Sequence, residues 1–462
     1  MSIDEYKEFD PSIFDNIRYL LQGQTTARSY RNSDAVNFLF NLGYRRAADG
    51  VFYQADDSSH PDDEEKLLVL AARLTRFFVV RPPQSPGLVF CAGVLDSSLH
   101  SNDSDSATAL SVGGIGASLA AAFRRCLGEA VEYLSQVENA ERNAAENAFT
   151  FHPLPLDKGL DRVSQQGLSA FVKNGLSSLD CLKAECFEDA SDAYIPADLC
   201  VRRQSAHVQI DVPYKISSGC AVGPTRHDAL YKAITEVIER DCVALWWYGG
   251  APPRMFTQKQ LSRFGIQALL ERSRGICRSR KTAFLDISSD LDVPTVAAFS
   301  VDDSGANFVC GMAARLSMEQ ALEAAFLEMC QMELGLIFVA LKTKQRGAEA
   351  LSDGDRRQLE RARQITPNRC LALIGKSDAR RYQDVRGLSV EQKLDLLKQR
   401  IARAGMKAYI VDLTRTDIGI PALQVVIPEL QPATPVVITD RLQATIQKHG
   451  GGWGLKHAIG LY

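Results

Sequence analysis

The chain has no CxxC pair, no GxxxxGK[ST] loop and no GxSxG elbow. The cysteine count is odd, at 11, and the residues are scattered through apolar stretches such as VFCAGV and LEMCQM. That pattern argues against a disulfide framework and gives a zinc site little support; reduced, buried thiols in a cytoplasmic protein are expected. The second absence removes the usual phosphate-cradling loop. The third removes the Ser/His/Asp hydrolase geometry. No apolar run is long enough to cross a bilayer, and MSIDEYKEFD does not open as a signal peptide. With 53 Lys and Arg against 56 Asp and Glu, the net charge is −3, which offers no field for nucleic acid or an anionic membrane. No short-period repeat is present.

What is there is an ordinary globular composition, 45% hydrophobic and 24% charged over 462 residues. That length suits two or three domains, or one large domain with additions. The pattern is α+β, with mixed or antiparallel strands packed against several long helices. Residues 1–75 form a leading segment with short helices at Ile13 to Leu21 and Ala35 to Leu42, then a strand candidate at GVFYQ. An acidic run follows, Asp56, Asp57, Asp62, Asp63, Glu64 and Glu65, which reads as a solvated loop. RFFVV, GLVFCAGVL, TAFLDIS, VPTVAAFSV, NFVCGM, KAYIVDLT and PALQVVIP are strand candidates, as is Val208 to Val212. Ser97 to Ser106 reads as an exposed connection. Residues 343–365 read as a charged helix whose Arg356, Arg357, Arg361 and Arg363 face solvent. Residues 76–438 make the main unit and 439–462 a tail.

Three stretches carry candidate chemistry. In Gly223 to Trp247, Thr225 is an N-cap with Asp228 three residues on. Ala229, Leu230, Ala233, Ile234, Val237 and Ile238 mark a buried face. Asp228, Glu236 and Glu239 fall within about 80° of one another on the other side, with Lys232 among them. That stripe fits either a solvated face or a site for hard cations. In Arg124 to Ser135, Glu129 and Glu132 share a face that Arg125 and Gln136 extend. In Leu316 to Leu336 the helix is apolar nearly all round and is interrupted by Glu328 and Gln331. A buried carboxylate is costly without a cation or a donor, so a solvated face does not explain Glu328. Three such helices favour one shared metal site.

These stretches, in this order, resemble the three motifs of the YcaO family. GGIGASLAAAFRRCLGEAVEYLS is similar to the first, SSGCAVGPTRHDALYKAITEVIERD to the second and CGMAARLSMEQALEAAFLEMCQ to the third. DLTRTDIGIPALQVVIPEL, Asp412 to Leu430, resembles the family's late strand segment. The likeness spans roughly residues 75–435 and implies a YcaO-type fold, in which long helices converge on an ATP/Mg2+ site without a P-loop. Carried over by position, Glu129, Glu132, Asp228, Glu236, Glu239 and Glu328 would hold magnesium. Gly114, Gly116, Arg125, Ser218, Arg240 and Gln331 would lie beside the nucleotide, the two glycines in a turn where backbone passes close to phosphate. Departures from the pattern fall at Tyr133, Pro224, Ile115 and Glu333, and at Asp228, a shorter acid.

The resemblance also implies an activity. A Cys, Ser or Thr side chain of a ribosomally made precursor peptide attacks its own backbone amide. ATP phosphorylates the oxygen, and loss of phosphate leaves a thiazoline or oxazoline. A separate E1-like partner with a peptide-recognition element is implied, and so is a homodimer within that hetero-complex as one arrangement. The leading segment is a candidate docking region for partner or peptide. Two alternatives stand: thioamide formation with external sulfide, and a non-catalytic nucleotide-binding accessory subunit. Many azoline-forming members end in a Pro-rich tail, and HGGGWGLKHAIGLY is not one. His457 in that tail is a minor candidate for proton transfer.

Overall fold

The computed structural model describes residues 6–21, 33–47, 52–54, 61–95, 110–138, 149–277, 279–375, 382–383, 385–452, 455 and 460–461. The leading elements are β1 (Tyr6–Phe9), α1 (Ser12–Leu21), α2 (Ser33–Leu42), β2 (Tyr44–Arg46), β3 (Phe52–Gln54) and α3 (Pro61–Ala71). They run into β4 (Leu74–Val80), β5 (Val89–Leu95), β6 (Leu110–Gly116) and the long α4 (Leu119–Gln136). Then come β7 (His152–Pro155), α5 (Leu156–Asp161), β8 (Ser178–Cys186), β9 (Asp192–Pro196), β10 (Cys220–Val222) and α6 (Arg226–Trp247). β11 (Arg254–Met255), α7 (Gln258–Arg263), α8 (Ile266–Arg274), β12 (Arg280–Asp286), β13 (Thr295–Asp302) and β14 (Val309–Ala314) lead to α9 (Met318–Arg346). α10 (Asp353–Gln364), α11 (Val390–Arg403), β15 (Tyr409–Asp412), β16 (Ala422–Val426) and α12 (Asp440–His449) follow.

The expected α+β architecture is present. Strands pair antiparallel in the orders β1-β4-β5-β6, β10-β16-β15-β8-β7 and β11-β12-β13-β14, with β9 beside β8 and a separate β2-β3 hairpin. Three of the edge strands, β6, β10 and β14, each feed a long helix. The turn between is short and the cap is the same: Ser118, Thr225 and Ser317 accept from the N–H three residues on. The helix then folds back over its own strand. At Gly114 and Gly311 the approach is too close for a side chain. A Cβ on Gly114 would meet Cys126 N at 2.4 Å, and one on Gly311 would meet Met329 N at 2.2 Å.

The leading segment is not a separate layer. β1 pairs with β4, and Phe14, Phe38, Phe77 and Phe123 pack with ring centroids 5.1–6.1 Å apart. These rings come from α1, α2, β4 and α4, so the first helix of the main unit shares its core with residues 12–42.

Several expectations change. Glu64 does not lie in a solvated acidic loop; it sits in α3 and is buried. Asp56, Asp57 and the run from Ser97 to Ser106 fall outside the described residues. Val208 to Val212 forms no sheet strand; Ile210 makes one isolated bridge, to Val172. The charged stretch at 343–365 is the end of α9 plus α10, and its Arg361 is half-buried, donating to the carbonyl of Gly460. Leu461 is buried in the cluster containing Val243 and Trp246, so the tail residues that are described return to α6. One helix, α9, is by length and hydropathy able to cross a membrane, contrary to the sequence expectation. It packs on β13, β14 and β6 as a core helix.

Glu333 on α9, a departure from the expected motif, turns away from the carboxylate stripe. It takes Arg274 Nη1 at 2.6 Å and Nη2 at 2.8 Å, Arg280 Nε at 3.0 Å and the Ser300 hydroxyl. All three charged side chains are buried. Removing one partner of a buried network leaves charge uncompensated, so Glu333→Ala should cost about 3–5 kcal/mol in urea unfolding. A shift under about 1 kcal/mol would show the network to be dispensable.

Candidate active site

The three long helices bring their carboxylates together where the edges of the three sheets meet. An edge strand has backbone N–H and C=O groups with no ladder partner, and these need donors and acceptors from elsewhere. Here the helices supply them. Gly113 N–H of β6 donates to Glu129 Oε2 at 2.6 Å. Val222 N–H of β10 donates to Glu132 Oε1 at 3.3 Å. In β14, Met312 N–H donates to Glu328 Oε2 at 2.8 Å and Ala314 N–H to Glu239 Oε2 at 3.2 Å. The outward carbonyls take cations: Ile115 from Arg125, Val222 from Lys232 and Ala314 from Arg315.

The carboxylates are short of countercharge. Arg240 is within 3.0 Å of both Glu236 and Glu239, from Nη2 and Nη1 respectively. Burial pushes the Glu132 carboxyl up to about 8; Glu236 adds to this and Lys232 opposes it. Burial does the same to Glu239, again up to about 8, against Arg240 and with help from Glu328 and Glu236. Burial also raises Glu129, Glu236 and Glu328. It lowers Lys232 and Arg125. Most of the groups acting on this set lie on α4, α6 and α9; Arg315 acts from the turn before α9.

Beside the carboxylates lies a cavity of about 690 Å3. Glu129, Glu132, Lys232, Arg125 and Arg315 line one part, with Gly223 and Pro224 at its rim. An all-oxygen set of converging carboxylates is what a hard cation requires, and a neighbouring group of Lys and Arg suits phosphate. Among the described residues no three acids, thiols or imidazoles are already arranged as ion ligands. One oxygen of each of Glu129, Glu132 and Glu328 accepts from a backbone N–H. A larger cavity, about 910 Å3, lies by α12 and contains none of the sequence-predicted residues.

The remaining candidates divide. Asp228 is at the start of α6, where Thr225 Oγ1 donates to it at 2.6 Å; it reaches the cluster through its effect on Lys232. The hydroxyl–carboxylate bond replaces the reciprocal capping box. Gln331 is half-buried on α9 and makes no hydrogen bond among the described residues. Ser218 lines a small cavity of about 50 Å3 with Arg240, Gln424 and Tyr214. Gly114 and Gly116 are not in a turn: both are in β6, where their lack of a side chain admits α4. His457 lies outside the described residues. The sequence reading missed Arg315, whose signal was its place two residues before the cap of α9. It also missed Glu64 and Arg124, which line the same cavity.

The geometry now has comparisons to set beside it. The family model described as YcaO cyclodehydratase, ATP- and Mg2+-binding, matches residues 113–431. An uncharacterised protein of Methanothermobacter thermautotrophicus is 26% identical over 337 residues, covering 69% of this chain and 81% of that one. A heterocyclase solved in complex with substrate and cofactor shares the fold with a TM-score of 0.63 at 17% identity, over 84% of this chain. The chain spans 54% of that heterocyclase. YcaO from Methanopyrus kandleri, solved with AMPPCP and Mg2+, aligns with a TM-score of 0.54 at 19% identity, over 80% of this chain and 91% of that one.

Because Glu132 and Glu239 are raised in the folded state, their protonated forms favour folding. That contribution is present below the ordinary carboxylate value of 4.5 and is lost as pH rises through about 8. Magnesium-free protein should therefore melt at progressively lower temperature across that window, and added Mg2+ should recover the loss at its upper end. Melting curves that are flat in pH and blind to Mg2+ would contradict this account of the cluster.

Proposed function

The chain belongs to the YcaO family and binds ATP and Mg2+ as that family does, and on that premise we propose that it is a peptide backbone cyclodehydratase. Its substrate is a ribosomally made precursor peptide, and its products are thiazolines or oxazolines from Cys, Ser or Thr. The observation that carries the reading is the convergence of five acids from three helices, Glu239 buried, Glu132, Glu236 and Glu328 half-buried and Glu129 exposed, with their carboxyls all raised and few cations among them.

Those five residues, with Asp228 at the start of α6, would hold magnesium, which supplies positive charge next to phosphate. Arg125, Lys232 and Arg315 face the same cavity and neutralise the polyphosphate of ATP, the second substrate. Arg240, tied to Glu236 and Glu239, is oriented by them rather than free to swing. The nucleophile belongs to the peptide. Its thiol or hydroxyl gives up its proton and bonds to the preceding amide carbon, the former carbonyl oxygen accepts the γ-phosphoryl of ATP, and phosphate departs with that oxygen as the amide N–H proton leaves and the ring C=N bond forms. The chain's contribution is positioning and charge, with no covalent role.

The heterocyclase used for comparison is nearly twice as long as the matched region, which supports a second polypeptide here: an E1-like partner that captures the peptide. The eleven cysteines are all unpaired, in keeping with a cytoplasmic setting.

Two outcomes test the reading. Glu239→Gln should keep the fold and lose nucleotide turnover; unchanged turnover would remove the metal-site assignment. A Cys/Ser/Thr-rich precursor peptide incubated with the chain, its partner, ATP and magnesium should lose one water in mass per modified residue, with matching phosphate release. An oxygen-to-sulfur gain on adding sulfide would instead assign thioamide formation.

A further inference from the structure

Along α6 the carboxylates are flanked by two groups of cations. Lys232 faces the cavity that Arg125 and Arg315 also line. Arg240 lies two turns further along the helix, roughly 12 Å away, with Glu236 and Glu239 between. Around Arg240 a second group gathers. Lys215 comes from the loop before β10, Arg202 from the loop after β9, and Arg357 and Arg361 from one side of α10. The two loops are tied to the end of α4. Arg202 N–H donates to the Gln136 carbonyl at 2.7 Å, and Gln136 Nε2 donates to the Ile216 carbonyl at 3.0 Å. Tyr133, one of the departures from the first motif, has the Arg202 guanidinium 4.6 Å from the centre of its ring.

The second group is short of acids. Arg240 has Glu236 and Glu239. Among the described residues, Lys215, Arg202, Arg357 and Arg361 form no ion pair. Burial lowers the Lys215 ammonium, and the largest charge effects on it all come from arginines: Arg240, Arg361, Arg357 and Arg202. Burial lowers Arg361 as well, and Arg357 adds to it. Arg202 Nε is buried without a hydrogen-bond partner. Lys215 and Arg357 are exposed. Like charges gathered at one place repel unless an anion comes to them. The polyphosphate has its own cations at the other end of the carboxylate stripe. Side chains spread over two loops and a helix suit several carboxylates along an extended chain better than one compact anion.

We infer that this group is where an acidic stretch of the substrate peptide docks, with Lys215 and Arg357 as its exposed contacts and the half-buried Arg202 and Arg361 beside them. The inference rests on the peptide-modifying function proposed above. It adds a charge preference in the substrate: Asp or Glu close in sequence to the residue that is cyclised.

The test is binding of two labelled peptides to the full chain, one alternating Glu and Gly and one alternating Gln and Gly, with Mg·ATP titrated separately. Wild type should hold the Glu peptide about tenfold more tightly at low salt, and the gap should close as salt screens exposed charge. Lys215→Ala/Arg357→Ala should lose that advantage and keep its affinity for Mg·ATP. Arg356→Ala/Arg363→Ala, on other sides of α10, should retain the advantage. Lys215→Glu/Arg357→Glu should instead prefer a peptide alternating Lys and Gly, an exchange that a purely structural role would not produce. Wild type that binds the Glu and Gln peptides equally, or neither, would overturn the inference, and intact Mg·ATP binding would then leave the site reading standing. Equal losses in the two double-alanine variants would show a diffuse basic surface and overturn it. A single-stranded oligonucleotide bound more tightly than the Glu peptide, with the same dependence on Lys215 and Arg357, would assign phosphate in place of carboxylate and overturn it too. A Glu preference that persists in a chain unable to bind Mg·ATP would remove the nucleotide site and leave the docking surface.

Discussion

Three sheets end on one another in this protein, and their edges need partners. β6, β10 and β14 each have a row of backbone groups with no neighbouring strand. Acids from α4, α6 and α9 meet that need on N–H groups, and Arg125 of α4, Lys232 of α6 and Arg315 of the turn before α9 meet it on carbonyls. The site's charge pattern therefore follows from sheet topology. Replace the carboxylates by apolar groups and the strands lose their acceptors; cap the edges with further strands and there is no chamber.

The same local unit is used three times: edge strand, Ser or Thr cap, long helix folded back. The unit accounts for the placement of Gly114 and Gly311, since a helix packed this closely over its own strand leaves no space for a Cβ at the crossing. It also explains how acids from distant parts of the chain converge without loops to carry them. Glu129, Glu132, Glu239 and Glu328 are each fixed on a helix by a backbone bond, so their positions are a property of rigid elements, which favours a site that must hold charge in one geometry. The electrostatic cost appears as carboxyls raised by burial. A cation and a polyphosphate, arriving together, relieve it.

Much of this was legible in the sequence, for a physical reason. Helical periodicity places Glu129 with Glu132, and Glu236 with Glu239, and an acid in an apolar stretch such as Glu328 announces a partner. Thr225 was readable as a cap because capping is local. What was not legible depended on contacts distant in sequence. Glu64 looked like one of a run of hydrated acids, and only the fold of α1–α3 buries it against Arg124. Glu333 looked only like a departure from the third motif, whereas Arg274 and Arg280 hold it on another face of α9. The glycines before α4 suggested a phosphate turn, and the strand register that makes them a packing surface has no signature in composition. Arg361 read as solvated because nothing in α10 itself reveals that Gly460 comes back to meet it.

The three edges have a consequence for how the chain is made. On a ribosome, β6 is complete some 200 residues before the last residues of α9 emerge. Until all three helices have docked, nascent protein exposes strand edges and apolar helix faces together, the combination that templates aggregation between chains. α4 can cover β6 early and share its aromatic core with the leading segment. β14, by contrast, waits for a 29-residue helix made after it. Low yield and inclusion bodies on rapid overproduction, eased by slower synthesis or by chaperones, would be the natural cost of building an active site from the unfinished margins of sheets.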